Sequence, residues 1–246
     1  MRAFRMEGPG AAAVQEVPDI AAEPGEALLR VKMVGMCGTD LNTFRGRNAM
    51  VTFPRIPGHE VAAEVVEAGG DLAAGTMVTI SPYTSCGRCP SCLRGRVNAC
   101  QFNETMGVQR DGAMTEYISV PAEKLYAAKL SIKELCLVEP LTVGFHAAAR
   151  GRVAAEDAVA VFGCGGVGLG AIASSAFRGA ETIAIDMDDA KLEIARKAGA
   201  KHLIHAKNED LHERLTAITG GRGPDVMIEA IGLPQTFRSA VEEVSF

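Results

Sequence analysis

Beyond about residue 150 the chain repeats one unit, and that unit admits few folds. A short apolar run leads into a turn, often marked by glycine, and then into a stretch of helical length. The runs at 157–162, 181–186, 202–205 and 224–230 read as strands. The stretches at 166–177, 190–198 and about 208–219 read as the helices between them, and 241–246 as the end of a further one. Such alternation predicts parallel strands with crossover helices, because a parallel neighbour cannot be reached through a tight hairpin.

The first strand–helix junction carries Gly163-Cys-Gly-Gly-Val-Gly168. A G-x-G-x-x-G pattern says little alone, but here it stands between strand and helix. Gly163 is expected to make the tight turn, and Gly165 to let the backbone approach a pyrophosphate. Gly168 would let the helix pack closely on its strand. The amides of Gly166 and Val167, at the helix start, would face phosphate. Asp186 closes the next strand, where a carboxylate accepts from a free 2′-hydroxyl and repels a 2′-phosphate. Asp188 and Asp189 add to that repulsion and Lys191 softens it, so NAD is expected over NADP.

The first half has a different rhythm, of short strands at 27–33, 61–67 and 77–80 broken by Gly and Pro. It reads as an irregular β domain. The boundary is expected between residues 139 and 155, giving domains of 1–150 and 151–246.

Within the first domain stand Cys86, Cys89, Cys92 and Cys100. Their C-x2-C-x2-C-x7-C spacing suits a tetrahedral zinc held by four thiolates in a lobe at about 84–102. A site with four protein ligands is closed and structural. The alternatives are two disulfides or four separate buried thiols. The first residues lack the apolar core of a signal peptide, so a reducing cytoplasm is expected and disulfides are disfavoured. The net charge of −5 argues against a general nucleic-acid binder. No apolar run approaches the roughly 20 residues that span a bilayer.

A second constellation is more dispersed. Cys37 lies in Gly35-Met-Cys-Gly-Thr-Asp40, His59 and Glu60 in Pro57-Gly-His-Glu60, and Glu139 in Val138-Glu-Pro-Leu141. A thiolate, an imidazole and a carboxylate together suit zinc with an open position. Taken singly, Cys37 would be a buried thiol and His59 a turn residue.

With these motifs in order along nearly the whole chain, the sequence resembles the zinc-dependent medium-chain alcohol dehydrogenases, in their polyol (sorbitol-type) and threonine dehydrogenase branch. The resemblance implies a GroES-like irregular β domain followed by a Rossmann domain. It implies two zinc ions, one catalytic and one structural, with NAD and a small-molecule alcohol substrate. Carried over, Cys37, His59 and Glu60 would ligate the catalytic zinc, with Glu139 a ligand or linked through water. Asp40 would orient His59. Thr39 would hydrogen-bond the reacting oxygen and begin a proton path. The expected activity is hydride transfer from a secondary alcohol (a polyol, sugar or sugar acid) to NAD. The alternatives are a threonine-type amino-alcohol dehydrogenase and a non-catalytic relative that binds zinc and dinucleotide. No nucleic-acid or membrane partner is expected, and a homodimer or homotetramer is expected for the full-length form.

The sequence departs from the family at two places. Asn42 stands where a histidine often accepts the last proton, and asparagine cannot titrate near neutrality. It would contact a polar substrate or be a plain loop residue. Family members also continue past the helix that ends this sequence, so the chain is expected to be a C-terminally truncated fragment. Arg45, Arg47 and Arg110 are candidates for a substrate carboxylate or ordinary exposed loop residues.

Overall fold

The computed structural model describes residues 1–245. Contacts divide them into two units, Met1–Glu139 and Pro140–Phe246.

The first unit opens on an antiparallel hairpin, β1 (Arg2–Gly8) and β2 (Ala11–Glu16). Then come β3 (Glu26–Gly35), α1 (Gly38–Phe44), β4 (Glu60–Glu67), β5 (Met77–Ile80) and α2 (Pro90–Leu93). They are followed by β6 (Tyr117–Pro121), β7 (Leu125–Ala127) and α3 (Ile132–Arg150), whose residues from Pro140 onward belong to the second unit. Five of the strands form one sheet in the order β6-β3-β4-β5-β7. Alternation sets its faces. Ala27, Leu29, Val61, Ala63, Val65, Val78, Ile80, Ile118 and Val120 make a core on one side. On the other side Ala62 packs with Leu135 and Cys136 of α3. The strands at 27–33 and 61–67 run slightly longer than the sequence predicts, and 77–80 agrees.

The second unit carries β8 (Ala158–Phe162), α4 (Gly166–Phe177), β9 (Glu181–Asp186), α5 (Asp189–Lys197), β10 (His202–His205), α6 (Leu211–Ile218), β11 (Val226–Glu229) and α7 (Pro234–Glu243). All four strands are parallel, in the order β10-β9-β8-β11. The chain winds outward from β8 to β10, then returns across to β11 on the other side of β8. That reversal is the topological switch of a Rossmann sheet. Every residue of the central β8 is buried, as a strand covered on both faces requires. Val159 and Val161 pack with Ile172 of α4 and Leu192 of α5. Ala160 and Phe162 face the other way, toward Leu215 of α6 and Ala240 of α7. The fold class is therefore as the sequence predicts, an irregular β unit followed by a doubly wound parallel sheet.

The helix starts differ from expectation for local reasons. Asp188 caps α5, accepting the Lys191 amide at 3.1 Å, and Asp210 caps α6, accepting the Glu213 amide at 2.9 Å. Helix α6 accordingly begins at Leu211 and not near Asn208. The larger difference is α3, which runs unbroken across the expected domain boundary with Pro140 inside it. Residue Phe246, part of the expected last helix, lies outside the described residues.

Candidate metal and cofactor sites

The antiparallel register of β3 and β4 pairs Gly35 with Glu60. It brings the end of one strand, followed by Cys37, beside the start of the other, preceded by His59. Gly35 has no side chain because the Glu60 side chain lies across it. A Cβ there would stand 2.1 Å from Glu60 Oε2. One ligand atom each from Cys37, His59 and Glu60 lies within 4.8 Å of the other two. These three come together as the sequence predicts, whereas no group of that closeness among the described residues includes Glu139.

Charge in this cluster is crowded. A hydrogen bond with His59 lowers the Cys37 thiol pKa, assisted by the amide and hydroxyl of Thr39 and opposed by burial. Burial opposes the His59 charge, but Cys37, Asp40 and Glu139 outweigh it and raise the imidazole to about 9. Burial, then nearby Glu139 and Asp40, push Glu60 up against the pull of His59. A soft thiolate, an imidazole and a carboxylate, with His59 Nδ1 buried and lacking a hydrogen-bond partner, fit a zinc ion.

Asp40 acts in a way the sequence did not foretell. It is 3% exposed, and its Oδ1 stands 4.0 Å from His59 Nδ1, too far for a hydrogen bond. Instead Oδ2 accepts the Cys37 amide at 2.9 Å and Oδ1 the Gly58 amide at 3.1 Å. One carboxylate thus ties together the two loops that carry the ligands. Thr39, half-buried on α1, turns its hydroxyl to the Cys37 sulfur. Asn42, Arg45 and Arg47 are exposed.

Glu139 is buried in α3, and its Oε1 accepts from the Tyr83 hydroxyl at 3.0 Å. Burial and the adjacent carboxylate push the Tyr83 phenol up to about 12. Sequence reasoning missed Tyr83, since a tyrosine preceding the cysteine lobe carries no motif. Arg110, read from sequence as either a substrate-carboxylate contact or an ordinary exposed loop residue, is partly buried, with Nε and Nη2 unpartnered. It lines a cavity of about 600 Å³ with Arg5, Ile56, Asp111 and Tyr117, none of them in the Cys37 cluster.

The lobe cysteines converge too. Their four sulfurs lie within 4.8 Å of one another, with Cys89 and Cys100 at 4.0 Å. Zinc–sulfur bonds of about 2.3 Å in a tetrahedron place sulfurs about 3.8 Å apart. All seven cysteines are free in this structure, the four lobe thiols included. The amides of Cys86 and Phe102 donate to Cys100 Sγ and that of Cys89 to Cys86 Sγ, each at 3.3 Å. The amides of Cys92 and Gln101 pull Cys89 down to about 6, while desolvation pushes Cys92 up to about 11. Four thiols that cannot all ionise together are the donor set a dication resolves.

In the second unit the glycine turn leaves the end of β8 at the switch point. Gly163 has φ +88°. A Cβ on Gly168 would lie 1.7 Å from the Gly163 carbonyl oxygen, so the helix can approach its strand only with glycine there. At Gly165 and Gly166 a Cβ would meet nothing within 4 Å, leaving open space before the first amides of α4, which Val167 continues. That is the cradle a pyrophosphate fills. Asp186 Oδ2 accepts the Cys164 amide at 2.7 Å, and Oδ1 accepts the amides of Met187 and Asp188 at 2.7 and 3.1 Å. Three of about four acceptor positions are engaged, leaving one on Oδ2 for a ribose hydroxyl.

A Rossmann sheet with this turn, joined in one chain to a β unit carrying an open thiolate–imidazole–carboxylate cluster and a closed four-thiolate lobe, defines a zinc- and nicotinamide-dependent oxidoreductase. The family comparisons agree. Residues 23–130 match the alcohol dehydrogenase GroES-like domain, and residues 166–245 match the zinc-binding dehydrogenase family. Sorbitol dehydrogenase from Bacillus subtilis is 39% identical over 93% of the chain and 67% of its own length. L-galactonate-5-dehydrogenase from Escherichia coli is 34% identical, over 88% of the chain and 65% of its own length. L-threonine 3-dehydrogenase from Symbiobacterium thermophilum is also 34% identical, over 98% and 72%. A zinc-binding dehydrogenase from Sinorhizobium meliloti, solved with NADP, superposes with a TM-score of 0.93 at 31% identity, over 99% of this chain and 73% of that one. The chain belongs to the zinc-dependent medium-chain alcohol dehydrogenase family. No helix among the described residues is long and apolar enough to cross a membrane.

Proposed function

We propose that this protein oxidises a secondary alcohol of a polyol, sugar or sugar acid, with NAD as acceptor. The convergence of Cys37, His59 and Glu60 on one point carries the reading. These three would hold the catalytic zinc, and the four lobe cysteines a structural one. Zinc, when bound, supplies Lewis acidity toward the substrate hydroxyl, and NAD supplies the hydride acceptor.

The protein's own residues do the remaining work. Asp40 holds the two ligand loops in register. Thr39 offers its hydroxyl beside Cys37 and receives the substrate proton at Oγ while releasing its own. Glu139 is the nearby carboxylate that can take that proton onward, a role the exposed Asn42 amide cannot fill. The glycine turn seats the pyrophosphate on the amides of Gly166 and Val167. Asp186 fixes the ribose, and its charge disfavours a 2′-phosphate. This assigns substrate chemistry to residues 1–150 and cofactor binding to 151–246.

A threonine-type substrate is the second reading, supported by the similar identity of that relative. Seven free cysteines favour a cytoplasmic setting, and family likeness favours a homodimer or homotetramer.

The test combines metal content with turnover. Two zinc ions per chain are expected, with NADH formation from a panel of polyols and aldonates. Cys37→Ser should abolish turnover and retain NAD binding. A single zinc in the wild-type protein, or loss of NAD binding in Cys37→Ser, would refute the assignment.

A further inference from the structure

Glu139 has an unusual position. It lies within electrostatic reach of the metal-site residues, since its charge helps set the protonation of His59 and Glu60. It is also 7% exposed, so water does not compete strongly for it. A buried carboxylate beside a dication would normally close on it. Yet Glu139 stands outside the group in which Cys37, His59 and Glu60 lie within 4.8 Å of one another, and its Oε1 accepts from Tyr83 at 3.0 Å. Tyr83 comes from the chain just after β5, 56 residues before Glu139. The Cys37 charge also helps raise its phenol pKa. Tyr83 itself is 43% exposed.

We propose that Tyr83 is a positioning residue that tethers Glu139 outside the ligand set, so that three protein ligands hold the zinc and the fourth position stays open to substrate. The proposal rests on the reading of Cys37, His59 and Glu60 as ligands. The chemistry is simple competition. A carboxylate oxygen that accepts a phenol hydrogen bond is less available to a metal, and the bond limits how the carboxylate can turn. Removing the hydroxyl frees the carboxylate to swing inward. An open catalytic site would then become a closed one with four protein ligands.

Tyr83→Phe deletes the hydroxyl and keeps the ring. Metal affinity of the Cys37 site is measured by competition with a chelating indicator, with the four-cysteine site already filled. The same site loaded with Co²⁺ gives a visible spectrum that reports ligand number. Tyr83→Phe should bind metal on the order of tenfold more tightly, the scale on which partners of metal ligands act. Its Co²⁺ bands should shift, and KM should rise more than kcat falls because substrate must displace Glu139. In the double variant Tyr83→Phe, Glu139→Gln, affinity and spectrum should match Glu139→Gln alone. Unchanged affinity and spectrum in Tyr83→Phe would overturn the tether. So would an effect that persists undiminished in the Glu139→Gln background. Uptake of one metal ion by the wild-type protein would instead overturn the ligand assignment beneath it.

Discussion

Asp40→Ala tests whether one carboxylate organises the catalytic site through the backbone. Both oxygens of Asp40 are engaged, Oδ2 by the Cys37 amide at 2.9 Å and Oδ1 by the Gly58 amide at 3.1 Å. Each hydrogen bond to a charged acceptor contributes roughly 1.5–3 kcal/mol. The Gly58 amide is fully buried and keeps that penalty when the acceptor is lost. The Cys37 amide is only part-buried, so water recovers a share. The expected loss is therefore about 2–5 kcal/mol. A domain with about 5–15 kcal/mol in hand remains folded. The metal site suffers separately, because Cys37 and His59 no longer share a brace. Its affinity should fall roughly 10–100-fold, while the four-cysteine site, which Asp40 does not touch, keeps its zinc.

Asp40→Asn separates the two bonds. The amide oxygen can accept one backbone N–H, but the NH₂ group meets the other donor to donor. Its stability and affinity should fall between wild type and alanine. Urea unfolding gives the first quantity, and chelator competition at the Cys37 site the second. A loss below about 0.5 kcal/mol in Asp40→Ala, the range of an ordinary surface change, together with unchanged metal affinity would refute the reasoning.

Three further outcomes are expected. Gly168→Ala forces a Cβ to within 1.7 Å of the Gly163 carbonyl, so the turn must open; NADH fluorescence titration should show binding weakened well beyond tenfold while metal content stays at two. Asp186→Ala removes the acceptor of three backbone amides and the charge facing the ribose; the ratio of NAD to NADP affinity should move toward one, and an unchanged ratio would reject the role given to that acid. Zinc needs a neutral imidazole, and His59 is raised to about 9 in the metal-free protein. Protons therefore compete below that value, so affinity of the Cys37 site should climb with pH by up to about tenfold per unit and level off above about 9. Cys37, already shifted toward its thiolate, contributes less to this slope. Calorimetry in buffers of different ionisation enthalpy should detect the released proton near neutrality.

The legible parts of this protein are those in which a local pattern and a local function coincide. The strands 181–186 and 202–205 and the helix 166–177 stand where periodicity and glycine punctuation place them. The four cysteines are close in sequence and close in space. Helix α3 was illegible because Pro140 reads as a breaker, although Ser131 and Glu134 cap it reciprocally at 2.8 and 3.3 Å. That S-x-x-E signal could have located its start. Proline in the middle of a helix costs one amide bond and a clash, and the packing of Leu135 and Cys136 against Ala62 supplies compensation that no local rule contains.

The catalytic site divides in the same manner. Cys37, His59 and Glu60 are readable as metal-competent residue types, and the Gly35–Glu60 register turns that list into a place. What their neighbours do is set by contacts that no spacing encodes. Asp40 accepts the Gly58 amide across 18 residues, and Tyr83 reaches Glu139 across 56. Neither bond leaves a signature, because any acid or phenol at those positions reads the same in one dimension. Residue type limits which atoms can bind a metal, but coordination number depends on which carboxylates are already engaged. In this chain Asp40 is committed to two amides and Glu139 to a phenol. Glu60, half-buried and raised by burial, is the carboxylate that the geometry leaves to join Cys37 and His59. If Cys37, His59 and Glu60 are the ligands, as we propose, the open coordination position is set by hydrogen bonds one layer outward from them, and substitutions at Tyr83 should alter it without touching a ligand.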